Sequence, residues 1–402
     1  MNIKLVRKDN VIKTRFILNP FLWFSLVWIF VLFIHTFNFS KAYPSTSSSM
    51  YAFFGFIIPC SIILAIFYHF KFLKKMKHIH ISSRPLFSVV IFCYVALALE
   101  CIYSRSIPLI SIFRHDINYL SFGIPLLTGL FSSFTMFISV ICSIKLVYCK
   151  ENRFKNFILL LLTYGRYVIV FSRGPLIFCV LITLIIFFSK RKFSFWWIPI
   201  LIILGIAFLF VFNITGNIRM GFAWNDSSYL LEISKFDKKY YGLQNFSWGL
   251  VYLDTPLGNI LYNEAHYVYP NDINGLISQL LPNIVSEVIY PDYDRALRLV
   301  IPNLNVSSIF AGGYKFYGYS GMMATYIELV LVILICSWLC KKDNASLVGC
   351  SSFLVLICAM SFFDNILILA GYTFVLLYLI IYALAYARKK KYFNFNVLVL
   401  NS

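Results

Sequence analysis

Long apolar runs separated by short polar segments make up most of the chain, and one longer polar stretch interrupts them. A helix needs about 20 predominantly apolar residues to cross a bilayer. Ten segments meet or approach this requirement, at residues 17–37, 51–70, 86–103, 123–148, 157–171, 174–189, 194–214, 320–340, 346–363 and 365–387. The pattern predicts an all-α polytopic membrane protein with about ten transmembrane helices.

Two of these segments have features of their own. The fifth and sixth are short, and we interpret them as a helical hairpin that turns at residues 172–175. The first follows several basic residues, as a signal peptide does, but its apolar run is longer and lacks a small-residue cleavage site. We therefore expect the first segment to remain in the protein as an anchor.

Residues 215–319 form the long polar stretch. They carry seven Lys and Arg and nine Asp and Glu, with Pro, Asn, Tyr and Trp throughout. A structureless loop of this length is uncommon, so we expect it to fold against the membrane helices. Pro and Asn-Asp breaks predict helices at 226–239, 246–263, 273–290 and 293–299. Three regions follow: seven spans in 1–214, the loop in 215–319, and three spans with a basic tail in 320–402.

Composition excludes several classes of protein. Of the 402 residues 60% are hydrophobic and 13% charged, with a mean hydropathy of +0.79. A soluble domain is about 45–50% apolar and about 25% charged. A soluble enzyme and a disordered protein are therefore excluded. All ten cysteines lie in predicted spans or at their cytoplasmic ends, which also argues against a disulfide-rich secreted protein.

The net charge of +19 has a topological explanation. Alternate short segments and the two ends of the chain hold 23 of the 35 Lys and Arg. This is the bias of cytoplasmic loops, so it predicts that both termini are cytoplasmic and that residues 215–319 lie outside. It leaves no support for nucleic acid as a partner.

The arginines that this bias does not explain are the first candidates for function. Arg166 lies within a predicted span, where a charge should face a polar cavity or a partner, and Arg173 lies at the hairpin tip. Glu100 and Glu328 are candidate partners, so an internal ion pair is the alternative for Arg166. Guanidinium groups suit bidentate recognition of phosphate. Arginines on the outer side are Arg114, Arg219, Arg295 and Arg298.

Motifs of metal and nucleotide sites are weak or missing. Asp292 and Asp294 match a short Asp-x-Asp pattern that is common by chance, and Cys336 and Cys340 have no His or carboxylate beside them. The chain has no Walker loop, HExxH or GxGxxG motif. We therefore predict neither a metal nor a cofactor.

Four passages make the sequence resemble the O-antigen polymerases, which polymerise oligosaccharide repeat units of the bacterial envelope. They are residues 107–109 with 119–126, residues 171–177, residues 216–219 with 252–259, and residues 305–310 with 317–321. Relatives often have an acidic residue before the aromatic-Gly pair of the fourth passage, where this chain has Phe316.

The resemblance implies a multi-pass glycosyltransferase of the bacterial inner membrane. Its substrates are oligosaccharides linked to undecaprenyl pyrophosphate, a lipid carrier in the membrane, and it acts on them at the periplasmic face. A hydroxyl of an incoming repeat unit attacks the anomeric carbon of the growing chain, and the lipid pyrophosphate leaves. Whether a separate chain-length regulator protein is also a partner stays open.

This reaction suggests roles for particular residues. Preorganised cations stabilise a departing pyrophosphate, and a base accelerates attack by a hydroxyl. The pyrophosphate-binding candidates are Arg166, Arg173, Arg219, Arg295 and Arg298, and the catalytic candidates are Asp254, Glu264 and His266.

Two other functions fit part of the pattern. An O-antigen ligase shares the architecture and the lipid-linked donor but transfers the glycan to lipid A–core. A flippase or other transporter also needs charges within the membrane, but usually shows repeat-related halves. The chain has no such repeat, and its long loop favours the enzyme.

Overall fold

The computed structural model describes residues 15–74, 76, 79, 86–113, 122–149, 151–191, 194, 196–293, 297–301, 304 and 306–400, with only the backbone at 112, 113, 198, 201, 219, 370 and 388–400. Within these ranges the chain is helical, and Ser40 and Phe236 form an isolated β-bridge. The α-helices are α1 Pro20–His35, α2 Ser48–Tyr68, α3 Phe87–Ser104, α4 Pro108–Phe113, α5 Leu127–Tyr148, α6 Arg153–Ile169, α7 Arg173–Lys190, α8 Trp197–Arg219, α9 Ser228–Ile233, α10 Ser247–His266, α11 Ile273–Leu280, α12 Asn283–Ile289, α13 Ala311–Cys340, α14 Asn344–Ala359 and α15 Ala370–Leu400.

Apolar helices confirm the class of the protein. Five helices in the described ranges are long and apolar enough to cross a membrane: Ser48–Leu73, Phe87–Ser104, Leu127–Tyr148, Arg173–Lys190 and Ala311–Cys340. Four shorter apolar helices accompany them, at Pro20–His35, Ile202–Ile218, Asn344–Ala359 and Gly371–Ala387. Each of the ten segments predicted as spans is mostly helical where it is described. This is an all-α membrane protein.

The long helices α1–α3, α5–α7 and α13–α15 form a bundle, and α8 packs mainly against α10. The core of the bundle has α5 packed against α15, α6 and α7, while α1 packs against α2 and α14. Helices α10 and α11, which lie in the loop region, pack against α1 and α13 at one end of this bundle, which we call the loop face. Ser47, Arg173 and His35 all lie at helix ends on this face.

Short polar side chains set where several helices begin. Asn19 accepts a hydrogen bond from Leu22 N, and Asp343 accepts from Ala345 N and Ser346 N. Ser47 and Asp272 cap α2 and α11 in the same way. These side chains satisfy backbone N–H groups that the first turn of a helix leaves unpaired.

Helix α13 is sharply kinked near its start. Tyr317 and Gly318 have non-helical backbone angles, and Gly318 has φ 58° and ψ −143°. The residues before the kink fold back on those after it, so that Gly313 and Gly321 are in backbone contact. A Cβ atom at either glycine would overlap the carbonyl group of the other. Close backbone approach therefore requires glycine at both positions.

The chain enters the bundle before residue 320, where the sequence placed the end of the loop. Phe310 is fully buried, and its ring lies 5.2 Å from Phe53 and 5.3 Å from Trp28. The preceding backbone is also fixed, because Ile309 N donates to the carbonyl of Ser361 at 2.7 Å. Non-helical backbone within a bundle is tolerated when its polar groups find such partners.

The helices of the 215–319 region agree only partly with their prediction. Helix α10 confirms 246–263, whereas 226–239 contains only α9 and the start of a 3₁₀-helix at Lys238–Phe246. The segment 273–290 is divided into α11 and α12, because Pro282 interrupts the helix. The helix predicted at 293–299 is wrong for residues 293 and 297–299, which are not helical.

Candidate functional site

Helix α10 organises the loop face from within. It packs against α1, α8 and α13, and most of its residues are buried. Asn259 and Asn263 lie one turn apart on α10 and hold the segment that follows α12. The Asn259 amide donates to Val306 O at 2.9 Å, and the Asn263 amide donates to Arg298 O at 2.8 Å. These bonds fix the position of Arg298 beside the end of α10.

Glu264 joins the last turn of α10 to the bundle. Its Oε1 accepts a hydrogen bond from the Tyr319 hydroxyl at 2.6 Å, and its Oε2 accepts one from Ser47 at 2.8 Å. Ser47 caps α2, and Tyr319 follows the kink of α13. The carboxylate is part-buried, so two donors hold it in place while it stays accessible from the loop face.

His266 is the last residue of α10, and its side chain leaves the helix on a different side from that of Glu264. Its Nδ1 lies 2.9 Å from the carbonyl oxygen of Tyr262, and its ring lies 4.2 Å from the ring of Tyr262. A carbonyl oxygen only accepts, so Nδ1 carries the hydrogen and Nε2 of the neutral ring is left as an acceptor. The side chain is exposed. His266 therefore presents a basic nitrogen to the loop face.

Arg298 lies over the aromatic ring that follows α10. The Cζ of its guanidinium is 4.0 Å from the centre of the Tyr267 ring, a cation–π geometry. A hydrogen bond from Arg298 lowers the pKa of the Tyr267 hydroxyl. Arg298 is exposed, so its charge is available to a ligand.

Two groups of side chains thus surround the end of α10, Glu264 with Ser47 and Tyr319, and His266 with Tyr267 and Arg298, and we call the six residues together the loop-face cluster. It combines a fixed carboxylate, an imidazole acceptor and a guanidinium. Tyr314 and Tyr269 extend it, with the Tyr314 ring 5.7 Å from Tyr319 and 6.2 Å from Tyr269. Such a surface can accept a proton, bind an anion and stack against sugar rings. No group of three His, Cys, Asp or Glu suited to a metal occurs among the described residues.

Asp254 does not join this cluster. It is fully buried, and its Oδ1 lies 2.5 Å from Nδ1 of His35, which is 2% exposed. Ten residues of helix separate Asp254 from Glu264, or about 15 Å along the axis at 1.5 Å per residue. Burial raises the pKa of the Asp254 carboxyl, and the hydrogen bond with His35 opposes this. The sequence grouped Asp254, Glu264 and His266, but the structure places only the latter two in the last turn of α10, on different sides of the helix.

Arg166 is also buried, with 2% of its surface exposed. Its Nη2 donates to Oε2 of Glu100 at 2.7 Å, and its Nη1 donates to the carbonyl of Cys93 at 3.3 Å. Glu100 was one of the two partners that the sequence suggested. This placement favours the internal ion pair over a ligand-binding role.

Arg173 lies at the loop face, where the sequence placed the hairpin tip. It is exposed at the first position of α7, and its Cζ lies 4.9 Å from the centre of the Phe171 ring. The next residue, Gly174, packs against the hydroxyl of Tyr372, which leaves no room for a Cβ. Helix α15 thus fixes the turn that presents Arg173.

Three predicted arginines lie beyond what the structure describes in side-chain detail. Arg219 ends α8, and only its backbone is described. Arg295 and Arg114 lie outside the described residues.

The sequence reasoning missed the partners of the candidate carboxylates. Ser47 precedes Glu264 by 217 residues, and His35 precedes Asp254 by 219. His35 ends an apolar helix, and Ser47 belongs to a Ser-rich turn that looked like a plain connection. No spacing in the sequence relates such distant positions.

Comparison of the chain with known protein families, with curated proteins and with solved structures gives no match.

Proposed function

We propose that this chain is an O-antigen polymerase, a glycosyltransferase that joins undecaprenyl-pyrophosphate-linked repeat units in lipopolysaccharide biosynthesis. The observation that carries the proposal is the part-buried Glu264 carboxylate, held by Ser47 and Tyr319 where the loop meets the apolar helices. A substrate with a lipid tail and a sugar head needs its reacting group at such a junction.

The chemistry of the loop-face cluster supports this reaction. The oxygen of a sugar hydroxyl on the incoming unit attacks the anomeric carbon of the growing chain. The bond from that carbon to the pyrophosphate oxygen breaks, and its electrons leave with the lipid pyrophosphate. Glu264 accepts the proton of the attacking hydroxyl, a step that contributes typically 10²–10⁴-fold to a rate.

Arginines of the loop face serve the leaving group. Arg298 and Arg173 are both exposed at the loop face. Fixed cations stabilise the charge that develops on the pyrophosphate, most strongly where water is scarce. Arg219 belongs to the same proposal, since it ends α8 on the same face.

Sidedness is part of the proposal. In this proposal the chain has ten spans with both termini cytoplasmic, and its loop face is on the periplasmic side of the inner membrane. The basic residues of the alternate segments support this orientation. A periplasmic reporter fused near residue 245 should be active. An inactive reporter there, with an active one near residue 150, would reject this orientation.

Gene deletion tests the activity directly. The deletion strain should make core oligosaccharide that carries a single repeat unit, visible as loss of the ladder on a lipopolysaccharide gel. Loss of all O-antigen sugar would point instead to a ligase or a flippase. Complementation with Arg173→Ala or Arg219→Ala should restore no polymer at normal protein abundance, whereas Lys150→Ala should restore it. Normal chain lengths with both arginine variants would refute the pyrophosphate assignment.

A further inference from the structure

A small polar cavity opens beside the kink of α13. It has about 70 Å³ of space for the centres of water-sized molecules. One water needs about 10–15 Å³ by this measure, so the cavity has room for several. The polar side chains that line it come from α11, from the segment before α13, from α13 and from the turn between α14 and α15: Gln279, Ser307, Ser308, Thr325, Asp364 and Asn365.

Three distant parts of the chain fix its walls. Ile309 N donates to Ser361 O at 2.7 Å, which ties the segment before α13 to the turn after α14. Asn283 N donates to Ile368 O at 2.8 Å, which ties α12 to the same turn. Gly312 allows Gln279 to pack directly against the backbone of α13. The cavity is therefore a built feature with walls from several elements.

The lining favours a neutral ligand with many hydroxyl groups. It offers one carboxylate, two amides and three hydroxyls, and no Lys or Arg occurs among the described lining residues. A phosphate would be repelled by Asp364 and would find no cation. Amides and hydroxyls both donate and accept, which is what the hydroxyls of a sugar require.

The surroundings relate this cavity to Arg173. Asp364 lies within electrostatic range of the Tyr372 hydroxyl. The same hydroxyl packs against Gly174, the residue after Arg173. The start of α7 and the turn that carries Asp364 therefore both lie near Tyr372. A sugar bonded to a pyrophosphate needs hydroxyl partners and a cation on the same part of the surface.

We propose that this cavity binds the hydroxyl edge of a sugar ring of the lipid-linked glycan, with the Asp364 carboxylate accepting a hydrogen bond from one of its hydroxyls. This inference rests on the proposed function and adds a saccharide subsite to it. Ser307 and Asn365 supply further hydrogen bonds, and Arg173 faces the pyrophosphate.

Binding measurements test the subsite without turnover. The probe is the O-polysaccharide released by mild acid from the lipopolysaccharide of the host strain, titrated calorimetrically into the full-length protein in detergent. Asp364→Asn should bind at least about tenfold more weakly, because a hydrogen bond to a charged group contributes about 1.5–3 kcal/mol. Asp292→Asn, which changes an exposed carboxylate in the loop, should bind like the wild type.

A second variant tests the subsite in case Asp364→Asn does not fold. Ser307→Ala removes one hydroxyl from the wall and should weaken binding several-fold. Unchanged affinity in both variants, or no binding by the wild type, would overturn the subsite. A cation site is the alternative. The subsite would be overturned in its favour if calcium or sodium raised the melting temperature of the wild type but not of Asp364→Asn, and the wild type bound no polysaccharide.

The two proposals fail in different ways. If the deletion strain still makes a normal ladder, the polymerase proposal fails, whatever the binding data show. If the ladder is lost in the deletion strain but persists at normal length with Asp364→Asn and Ser307→Ala, and both bind normally, only the subsite fails.

Discussion

The Tyr319 hydroxyl donates to Oε1 of Glu264 at 2.6 Å, which fastens the last turn of α10 to the start of the long part of α13. One residue belongs to the loop and the other to the bundle. Ser47 completes the attachment from a third element at 2.8 and 2.9 Å. The carboxylate is thereby held in one orientation at the loop face, as a group that takes part in chemistry should be.

Replacing Glu264 should separate its chemical role from its structural one. Glu264→Gln keeps the size of the side chain and an oxygen that accepts from Tyr319, but it removes the base. We expect polymer formation to fall by about 10²-fold or more, with protein abundance unchanged. The measurement is polymer yield on a lipopolysaccharide gel, normalised to the protein in membranes. Tyr319→Phe is the control, since it removes one hydrogen bond and keeps the carboxylate. Equal yields from Glu264→Gln and the wild type would contradict the role as a base.

The buried pair of Arg166 and Glu100 should matter for stability. Arg166→Ala leaves the Glu100 carboxylate buried without its partner, which costs about 3–5 kcal/mol. We expect a lower melting temperature in detergent and less protein in membranes. The double variant Arg166→Met/Glu100→Gln should recover much of this loss, because it leaves no unpaired charge. Arg153→Ala, an exposed position on the same helix, should have little effect. A stable Arg166→Ala protein without polymer would instead restore a ligand-binding role for Arg166.

Close packing at the kink of α13 predicts a second effect on stability. Gly321→Ala places a methyl group against the carbonyl of Gly313, and overpacking of this kind costs about 1–3 kcal/mol. Gly205→Ala is the matched control, because no atom lies near its added Cβ in α8 and alanine favours a helix. In detergent, Gly321→Ala should therefore lower the melting temperature, whereas Gly205→Ala should leave it unchanged or raise it. Equal melting temperatures would show that the fold-back is not tightly packed.

The buried Asp254 predicts how stability varies with pH. Burial raises the pKa of its carboxyl in the folded protein above the ordinary value of about 3.9. The folded state therefore favours the protonated form, and this contribution is complete below about pH 3.9 and is lost as the pH rises through the folded value. The melting temperature of the wild type should therefore fall as the pH rises from about 3.9 through the folded pKa of Asp254. Asp254→Asn should make this fall smaller.

A second aspartate supplies the control for this pH dependence. Hydrogen bonds from Ser228 lower the pKa of the half-exposed Asp226, so its contribution is present above about pH 3.9 and lost as the pH falls below it. Asp226→Asn should leave unchanged the slope above about pH 3.9 that we assign to Asp254. If Asp254→Asn keeps that slope as well, another group is responsible for it.

Local patterns predicted the helices well because their cause is local. Apolar runs of span length and capping residues such as Asn19 and Asp343 act within a few residues of their own position. At 293–299 the described residues are not helical, and Asn263 of α10 donates to the carbonyl of Arg298. This partner comes from a different element, which local patterns do not report.

For the candidate site, the sequence predicted which types of residue take part but not how they are arranged. The sequence singled out arginines and carboxylates of the loop as candidates, and it named Glu100 as a partner for Arg166, a pair that the structure contains. The cavity beside the α13 kink had no signal at all, since Gln279, Ser307 and Asp364 come from three separate segments. Ordinary spacing rules do not extend across such separations.

The sequence by itself determined that this is an all-α membrane protein, because transfer of apolar segments out of water depends on composition and length alone. Tertiary structure decided which charges are buried and which remain available. Asp254 and Glu264 belong to one helix, yet one faces His35 in the interior and the other faces Ser47 and Tyr319 at the loop face. The energy of a carboxylate depends on its surroundings, and distant segments of the chain supply those surroundings only when they pack together.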